Sequence, residues 1–93
     1  MVDVLMYCTG SCPYCHAAER LLASKGVDDL RKIRVDLDPA RRREMIKRCG
    51  RYTVPQIWIG EQHVGGYDDL HDLERSGGLD ALLQAVMQPS KEM

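Results

Sequence analysis

Three cysteines stand close together in residues 8–16 (CTGSCPYCH), and a fourth, Cys49, stands alone. Cys12 and Cys15 have the spacing of a dithiol redox site, because residues three apart lie on the same side of a helix. Pro13 favours the first position of that helix, which puts Cys12 against unpaired N–H groups and the positive end of the helix dipole. These groups stabilise a thiolate, the form of cysteine that attacks a disulfide. Cys15 is then close enough to resolve the mixed disulfide that forms.

The same residues permit three other chemistries. Residues 12–16 fit the C-x-x-C-H motif of haem attachment. Cys8 joins Cys12 and Cys15 in the C-x3-C-x2-C spacing of radical-SAM iron–sulfur sites, and Cys49 would complete a four-cysteine zinc site. The strand patterns argue against a small cytochrome, and 93 residues are too few for the partial barrel of a radical-SAM enzyme. The proline inside the pair and the isolation of Cys49 argue against zinc, so metal binding stays open chiefly as an adventitious property.

Length and composition limit the functional classes. The chain has 93 residues, of which 44% are hydrophobic, and its net charge is -1. We expect residues 1–93 to form one domain. The charge balance argues against a nucleic-acid partner, and no apolar run reaches the ~20 residues of a membrane span. The N-terminus has no basic segment followed by a long apolar one, so we expect no export signal and a cytoplasmic location. Closely spaced cysteines in a reducing compartment indicate redox chemistry or metal binding.

The elements that must position the cysteines follow the order β-α-β-α-β-β-α-α. Strands are predicted at 2–7, 32–36, 56–59 and 63–64, and helices at 13–25, 39–49 and 79–87. A further helix, capped by Asp68 or Asp69, runs to about residue 74. The first βαβ unit predicts a parallel pair, and the last two strands an antiparallel hairpin. We therefore expect an α/β fold with a mixed four-stranded sheet flanked by helices, a core over about 2–87, and a frayed tail at 89–93.

Three separated motifs resemble the dithiol class of small, bacterial-type glutaredoxins. They are residues 12–15 (CPYC), residues 53–55 (TVP) and residues 65–69 (GGYDD). Their mutual spacing also matches the family, and the resemblance covers roughly residues 2–87. It implies a thioredoxin fold and a glutathione-dependent thiol–disulfide oxidoreductase, which reduces protein–glutathione mixed disulfides and small or protein disulfides.

The resemblance also implies the roles of the cysteines. Cys12 would be the nucleophile and Cys15 the resolving thiol, with glutathione as cosubstrate, no permanently bound cofactor and no metal. The expected partners are glutathione and glutathionylated or disulfide-containing proteins, and the expected state is a monomer bound to neither nucleic acid nor membrane. Two alternatives stay open. One is a dimeric module that binds an iron–sulfur cluster with glutathione as an extra ligand, and the other is a thioredoxin reduced by a flavoprotein.

A glutathione groove follows from the same resemblance. A cis Pro55 would aim the N–H and C=O of Val54 at the cysteine unit of glutathione. Gly66 would allow close approach, and the N–H groups of Tyr67 and Asp68 would bind the γ-glutamyl carboxylate. The Asp68 carboxylate would face the ammonium group of glutathione. The implied glutathione-binding residues are Tyr14, Arg51, Thr53, Val54, Pro55, Gly66, Tyr67 and Asp68.

The sequence departs from the family at Thr9, where many dithiol members have a lysine that stabilises the thiolate and binds a carboxylate. We therefore expect a less stabilised Cys12 thiolate and weaker glutathione binding than in a lysine-bearing relative. Cys8 is predicted to be either a buried thiol at the end of a strand or a third redox partner. Neither the role of Cys49 nor the physiological substrate proteins follow from the sequence.

Overall fold

The chain forms four strands and four helices in the predicted order. A computed structural model describes residues 3–87 of the protein. The elements are β1 (Val4–Cys8), α1 (Pro13–Ser24), β2 (Arg31–Arg34), α2 (Pro39–Cys49), β3 (Gln56–Ile59), β4 (Gln62–Gly65), α3 (Tyr67–Arg75) and α4 (Gly78–Met87). No helix within the described residues is long and apolar enough to cross a membrane. The predicted tail at 89–93 and the first residue of the first predicted strand lie outside the described residues.

The strands form one mixed sheet in the order β2-β1-β3-β4. β1 runs parallel to β2 and antiparallel to β3, and β3 runs antiparallel to β4. The parallel pair and the terminal hairpin predicted from the sequence are both confirmed. Because β1 and β3 are adjacent and antiparallel, the loop that follows β1 and the loop that precedes β3 lie at the same end of the sheet. These loops carry the CPYC and TVP motifs.

Side chains of the central strands alternate between two cores, one on each face of the sheet. The face towards α1, α3 and α4 has the larger core, whose members include Val4, Met6, Ala18, Leu22, Ile57, Ile59, Leu70, Leu79 and Leu83. The face towards α2 has a smaller core of Tyr7, Val35, Met45 and Trp58. Each buried aliphatic or aromatic side chain contributes about 1.5–3 kcal/mol. The larger core therefore holds α1 firmly against β1.

Local signals correctly predicted the starts of the first two helices and the end of the second, while α1 ends at Ser24, one residue before the predicted end. Cys12 is the N-cap of α1 and Pro13 its first helical residue. Asp38 caps α2 by accepting the N–H of Ala40 at 3.0 Å. Gly50 ends α2 with a φ of 73°, a left-handed conformation that favours glycine.

The prediction for β2 was displaced along the chain. The strand spans Arg31–Arg34 and not residues 32–36. Val35 still donates its N–H to the carbonyl oxygen of Cys8 at 2.9 Å. Asp36, however, leaves the ladder and accepts two hydrogen bonds from the guanidinium of Arg34, at 2.7 and 2.8 Å. β2 ends at Arg34 because β1, the strand it pairs with, ends opposite it at Cys8.

The predicted cap of α3 was also wrong. The N-cap is Gly66, and helix α3 begins at Tyr67. Asp69 is instead the third helical residue, and its Oδ2 reaches back to accept the Gly66 N–H at 2.9 Å. A carboxylate at this position satisfies an N–H group that the helix itself leaves without a partner. The helix therefore starts two residues before Asp69.

Candidate active site

Cys12 lies at the N-terminus of α1, where the sequence predicted it. Its Sγ accepts the backbone N–H of Cys15 at 3.3 Å. The side chain is half-buried, and Sγ lies 3.9 Å from the carbonyl oxygen of Val54, in the TVP motif. A sulfur atom at the positive end of a helix, with a backbone donor directed at it, is suited to carry negative charge. The contact with Val54 joins this sulfur to the second motif.

Cys15 occupies a different environment, although it lies only three residues further on. It is 3% exposed and belongs to the larger core. Burial, reinforced by the hydrogen bond with Cys12, raises the pKa of the Cys15 thiol to about 12. Cys15 is therefore a neutral thiol at neutral pH. The two cysteines are suited to different tasks, because only Cys12 lies at the surface as a potential thiolate.

This asymmetry predicts how a thiol reagent labels the reduced protein. At neutral pH we expect iodoacetamide to modify Cys12 and leave Cys15 unmodified, since the thiolate is the reactive form. Because the pKa of Cys15 is raised, its reactivity should increase with pH, about tenfold per unit below its pKa. Peptide mapping after brief labelling at several pH values measures both rates. Equal labelling of the two cysteines near neutral pH would contradict the assigned environments.

A cleft of about 290 Å³ lies beside Cys12. The structure brings all eight predicted glutathione-binding residues to its walls: Tyr14, Arg51, Thr53, Val54, Pro55, Gly66, Tyr67 and Asp68. These residues come from α1, from the loop between α2 and β3, and from the start of α3. The Val54–Pro55 peptide bond is cis, as expected. Their assembly in one cleft agrees with the resemblance, while their binding of glutathione stays a prediction.

One end of the cleft has anion-binding character. The first hydrogen bond within α3 runs from the N–H of Leu70 to the carbonyl oxygen of Gly66, at 3.0 Å. The N–H groups of Tyr67 and Asp68 precede it, at the positive end of the helix, and both residues line the cleft. A carboxylate group suits this end of the cleft.

Two tyrosines form an aromatic wall over the same cleft. The rings of Tyr14 and Tyr67 have their centroids 6.2 Å apart and are tilted by 32°. Tyr14 is 62% exposed, so one face of its ring is open to solvent beside the cleft. An exposed aromatic ring beside a sulfur nucleophile offers apolar contact to a ligand.

Asp69 was missed as a site residue by the sequence reasoning. Its Oδ2 accepts hydrogen bonds from Arg51 Nη1 and from the Gly66 N–H, both at 2.9 Å. The Arg51 guanidinium, together with the Gly66 N–H, holds the pKa of this carboxyl below its usual value. Asp69 thus connects two walls of the cleft, and the remaining N–H groups of Arg51 are available to an anion. An acidic residue three positions after a helix cap was the signal that could have identified it.

The other two cysteines lie outside this cleft. Cys8 is 4% exposed, and burial raises the pKa of its thiol. Together with Thr9 and Cys15 it lines a second cavity, of about 290 Å³, that shares no lining residue with the cleft. The Sγ of Cys49 accepts the N–H of Arg51 at 3.4 Å. Within residues 3–87, no three His, Cys, Asp or Glu side chains lie close enough together to hold a metal ion.

Comparison with known proteins agrees with this geometry. The glutaredoxin family matches residues 4–64. A glutaredoxin of Pseudomonas aeruginosa is 56% identical over 85 residues, which cover 91% of this chain and all of that protein. A glutaredoxin from Brucella melitensis, known from its solution structure, is 52% identical and covers 89% of both chains with a TM-score of 0.77. A buckwheat glutaredoxin–glutathione complex superposes with a TM-score of 0.85 at 25% identity, covering 92% of this chain and 80% of the other. These structural likenesses confirm the predicted thioredoxin fold.

Proposed function

The chain belongs to the glutaredoxin family of thiol–disulfide oxidoreductases, and from that premise we propose that Cys12 and Cys15 perform its chemistry with glutathione. The single observation that supports this best is the position of Cys12. Its sulfur lies at the N-terminus of α1, 3.9 Å from the carbonyl oxygen of Val54, a residue that lines the cleft. A disulfide bound through its glutathione half in the cleft would have its sulfur atoms next to this nucleophile.

In the monothiol reaction, the Cys12 thiolate attacks the glutathione sulfur of a protein–glutathione mixed disulfide. A new S–S bond forms between Cys12 and glutathione, and the protein thiolate leaves and takes a proton from water. A second glutathione thiolate then attacks the bound glutathione sulfur and releases Cys12 as a thiolate. Overall, one free glutathione and the glutathione from the mixed disulfide leave together as glutathione disulfide, and the protein substrate recovers its thiol.

In the dithiol reaction, Cys12 attacks a disulfide of a protein substrate, and Cys15 then attacks the sulfur of Cys12. Cys15 must lose its proton for this step, and the departing thiolate of the substrate is the natural acceptor. The products are a reduced substrate and an oxidised Cys12–Cys15 pair, which two glutathione molecules reduce again. The raised pKa of Cys15 keeps this thiol protonated until a substrate is attached to Cys12.

The cleft supplies complementary groups for each part of glutathione. The N–H groups of Tyr67 and Asp68 would bind the γ-glutamyl carboxylate, and the Asp68 carboxylate would pair with the adjacent ammonium. The N–H and C=O of Val54 would pair with the cysteine unit as a short strand addition. Arg51 would bind the glycine carboxylate while Asp69 holds its Nη1. A bound glutathione is known in the buckwheat relative, which supports this arrangement.

The proposal includes the wider setting of the protein. Its substrates would be glutathionylated proteins and proteins with accessible disulfides in the cytoplasm. It would act as a single-domain monomer over residues 1–93, without a permanently bound cofactor. Neither nucleic acid nor a membrane is part of the proposed activity.

The proposed function is tested with glutathione, glutathione reductase, NADPH and a glutathionylated peptide. We expect NADPH oxidation that requires both the protein and glutathione. The same peptide offered with thioredoxin reductase instead of the glutathione system is the matched control, and it should give background rates. If only the flavoprotein reductase supports turnover, or if neither system does, the glutathione-dependent function is wrong.

A further inference from the structure

A buried glutamine side chain holds the TVP segment, residues 53–55, through hydrogen bonds to Thr53. Gln56, the first residue of β3, is 0% exposed, although its side chain is polar. Its Nε2 donates to the carbonyl oxygen of Thr53 at 3.1 Å and lies 3.4 Å from Thr53 Oγ1. Pro55 has no N–H to offer to this turn, so the glutamine side chain supplies the donor. The two ends of the segment that presents Val54 to the cleft are thereby tied together.

A histidine from the neighbouring strand fixes the glutamine. His63 of β4 has its Nε2 2.8 Å from Gln56 Oε1. Because the amide nitrogen of Gln56 already points at Thr53, its oxygen faces His63, and His63 must be the donor through Nε2–H. The imidazole is held in turn by Trp58, with ring centroids 4.5 Å apart. Every polar atom of the buried amide group therefore faces a partner.

We propose that Gln56 and His63 are positioning residues for glutathione, acting through Thr53 on the backbone groups of Val54. This inference rests on the proposed function, since it assigns to Val54 the task of pairing with the cysteine unit of glutathione. Neither side chain lines the cleft, so neither is a catalytic residue. Their contribution is to keep one conformation of the segment before the ligand arrives, which lowers the entropic cost of binding.

Loss of the hydrogen bond from His63 to Gln56 should disturb the TVP segment. Without His63 Nε2–H, the Oε1 atom of Gln56 is buried without a donor, and the amide group gains by turning away from Thr53. The TVP segment then samples other conformations in which the Val54 groups no longer face the ligand. The Cys12 sulfur loses only its 3.9 Å contact with the Val54 carbonyl and keeps the N–H of Cys15 and the helix N-terminus that stabilise its thiolate. We therefore expect a change in KM and little change in kcat.

The experiment compares His63→Leu with His63→Gln. A glutamine side chain carries an N–H2 group at about the reach of Nε2, so His63→Gln retains the donor, whereas His63→Leu removes it. In the coupled assay, His63→Leu should raise KM for the glutathionylated peptide about fivefold with kcat within about twofold of wild type. His63→Gln should stay within about twofold of wild type in both parameters. Equal KM values for the two variants would overturn the positioning role.

Gln56→Met tests the hydrogen bond from Gln56 to Thr53, because methionine has a similar shape without the amide group. We expect the same rise in KM as in His63→Leu, with no further rise in the double variant, since both break one chain of contacts. A loss confined to kcat, or fully additive effects, would contradict the inference.

Amide hydrogen exchange of Thr53, Val54 and Gln56 separates this inference from the proposed function, because it needs no activity. His63→Leu and Gln56→Met should both accelerate exchange in this segment, and His63→Gln should not. Unaltered exchange in the first two variants would refute the positioning role even where the wild type turns over. Accelerated exchange in a protein that does not use glutathione would refute the proposed function alone.

Discussion

Cys12→Ser is expected to lower glutathione-dependent turnover by at least about a thousandfold, whereas Cys15→Ser retains reduction of glutathionylated peptides. The serine hydroxyl is not ionised at neutral pH, so the helix N-terminus that stabilises a thiolate has no nucleophile to act on. Cys15 takes no part in the monothiol reaction, because a second glutathione molecule releases Cys12. Cys15→Ser should, however, abolish reduction of protein disulfides, for which the resolving thiol must be internal.

The measurement uses the coupled assay with two substrates, a glutathionylated peptide and a protein that contains one accessible disulfide. Each variant is matched by the other, because both replace one sulfur atom by oxygen within the same helical turn. Thermal melts close to that of the wild type establish that the fold persists. Loss of both activities in Cys15→Ser would contradict the division of tasks, and substantial activity in Cys12→Ser would move the nucleophile to another cysteine.

Gly65→Ala is expected to destabilise the protein by about 2–4 kcal/mol and to weaken the use of glutathione. Gly65 has a φ of 116°, which costs any side chain about 1–2 kcal/mol. An added Cβ would also collide with the carboxylate of Asp69. That carboxylate can escape only by leaving its hydrogen bonds to Arg51 and Gly66, each 2.9 Å long. Two walls of the cleft would then lose their connection.

Gly26→Ala is the matched control for this prediction. Gly26 also has a positive φ, of 91°, but a Cβ there would meet no atom within 4 Å. Gly26→Ala should lower the free energy of unfolding only by the cost of a side chain at positive φ, about 1–2 kcal/mol, and leave KM for the glutathionylated peptide unchanged. Urea denaturation gives the stability of each variant, and the coupled assay gives KM. Equal losses of stability and identical KM values in the two variants would show that Asp69 does not link the cleft walls.

Local chemistry explains why much of the fold could be predicted from the sequence. Pro13 after Cys12, Asp38 before a proline, and Gly50 after a charged helix are signals that act over a few residues. The strand at 56–59 likewise follows from a short apolar run after Pro55. Predictions failed at two element boundaries that the residue pattern alone leaves open, the end of β2 and the start of α3. β2 ends early because its partner β1 ends at Cys8, opposite Arg34, and α3 starts early because Asp69 reaches back three residues to Gly66.

Some features of the candidate site could likewise be predicted from the sequence, and others depend on the tertiary structure. The motif residues 12–15, 53–55 and 65–69 carry their chemistry in their residue types, so the nucleophile, the groove and its members could be expected from the sequence. Only the tertiary structure decided which thiol is buried, since Cys12 and Cys15 are similar in local sequence and differ in what packs over them. It also decided the links from Asp69 to Arg51 and from His63 through Gln56 to Thr53. These links depend on the register of β4 against β3 and on loops that come together only in the folded sheet. No short-range preference of the chain specifies either.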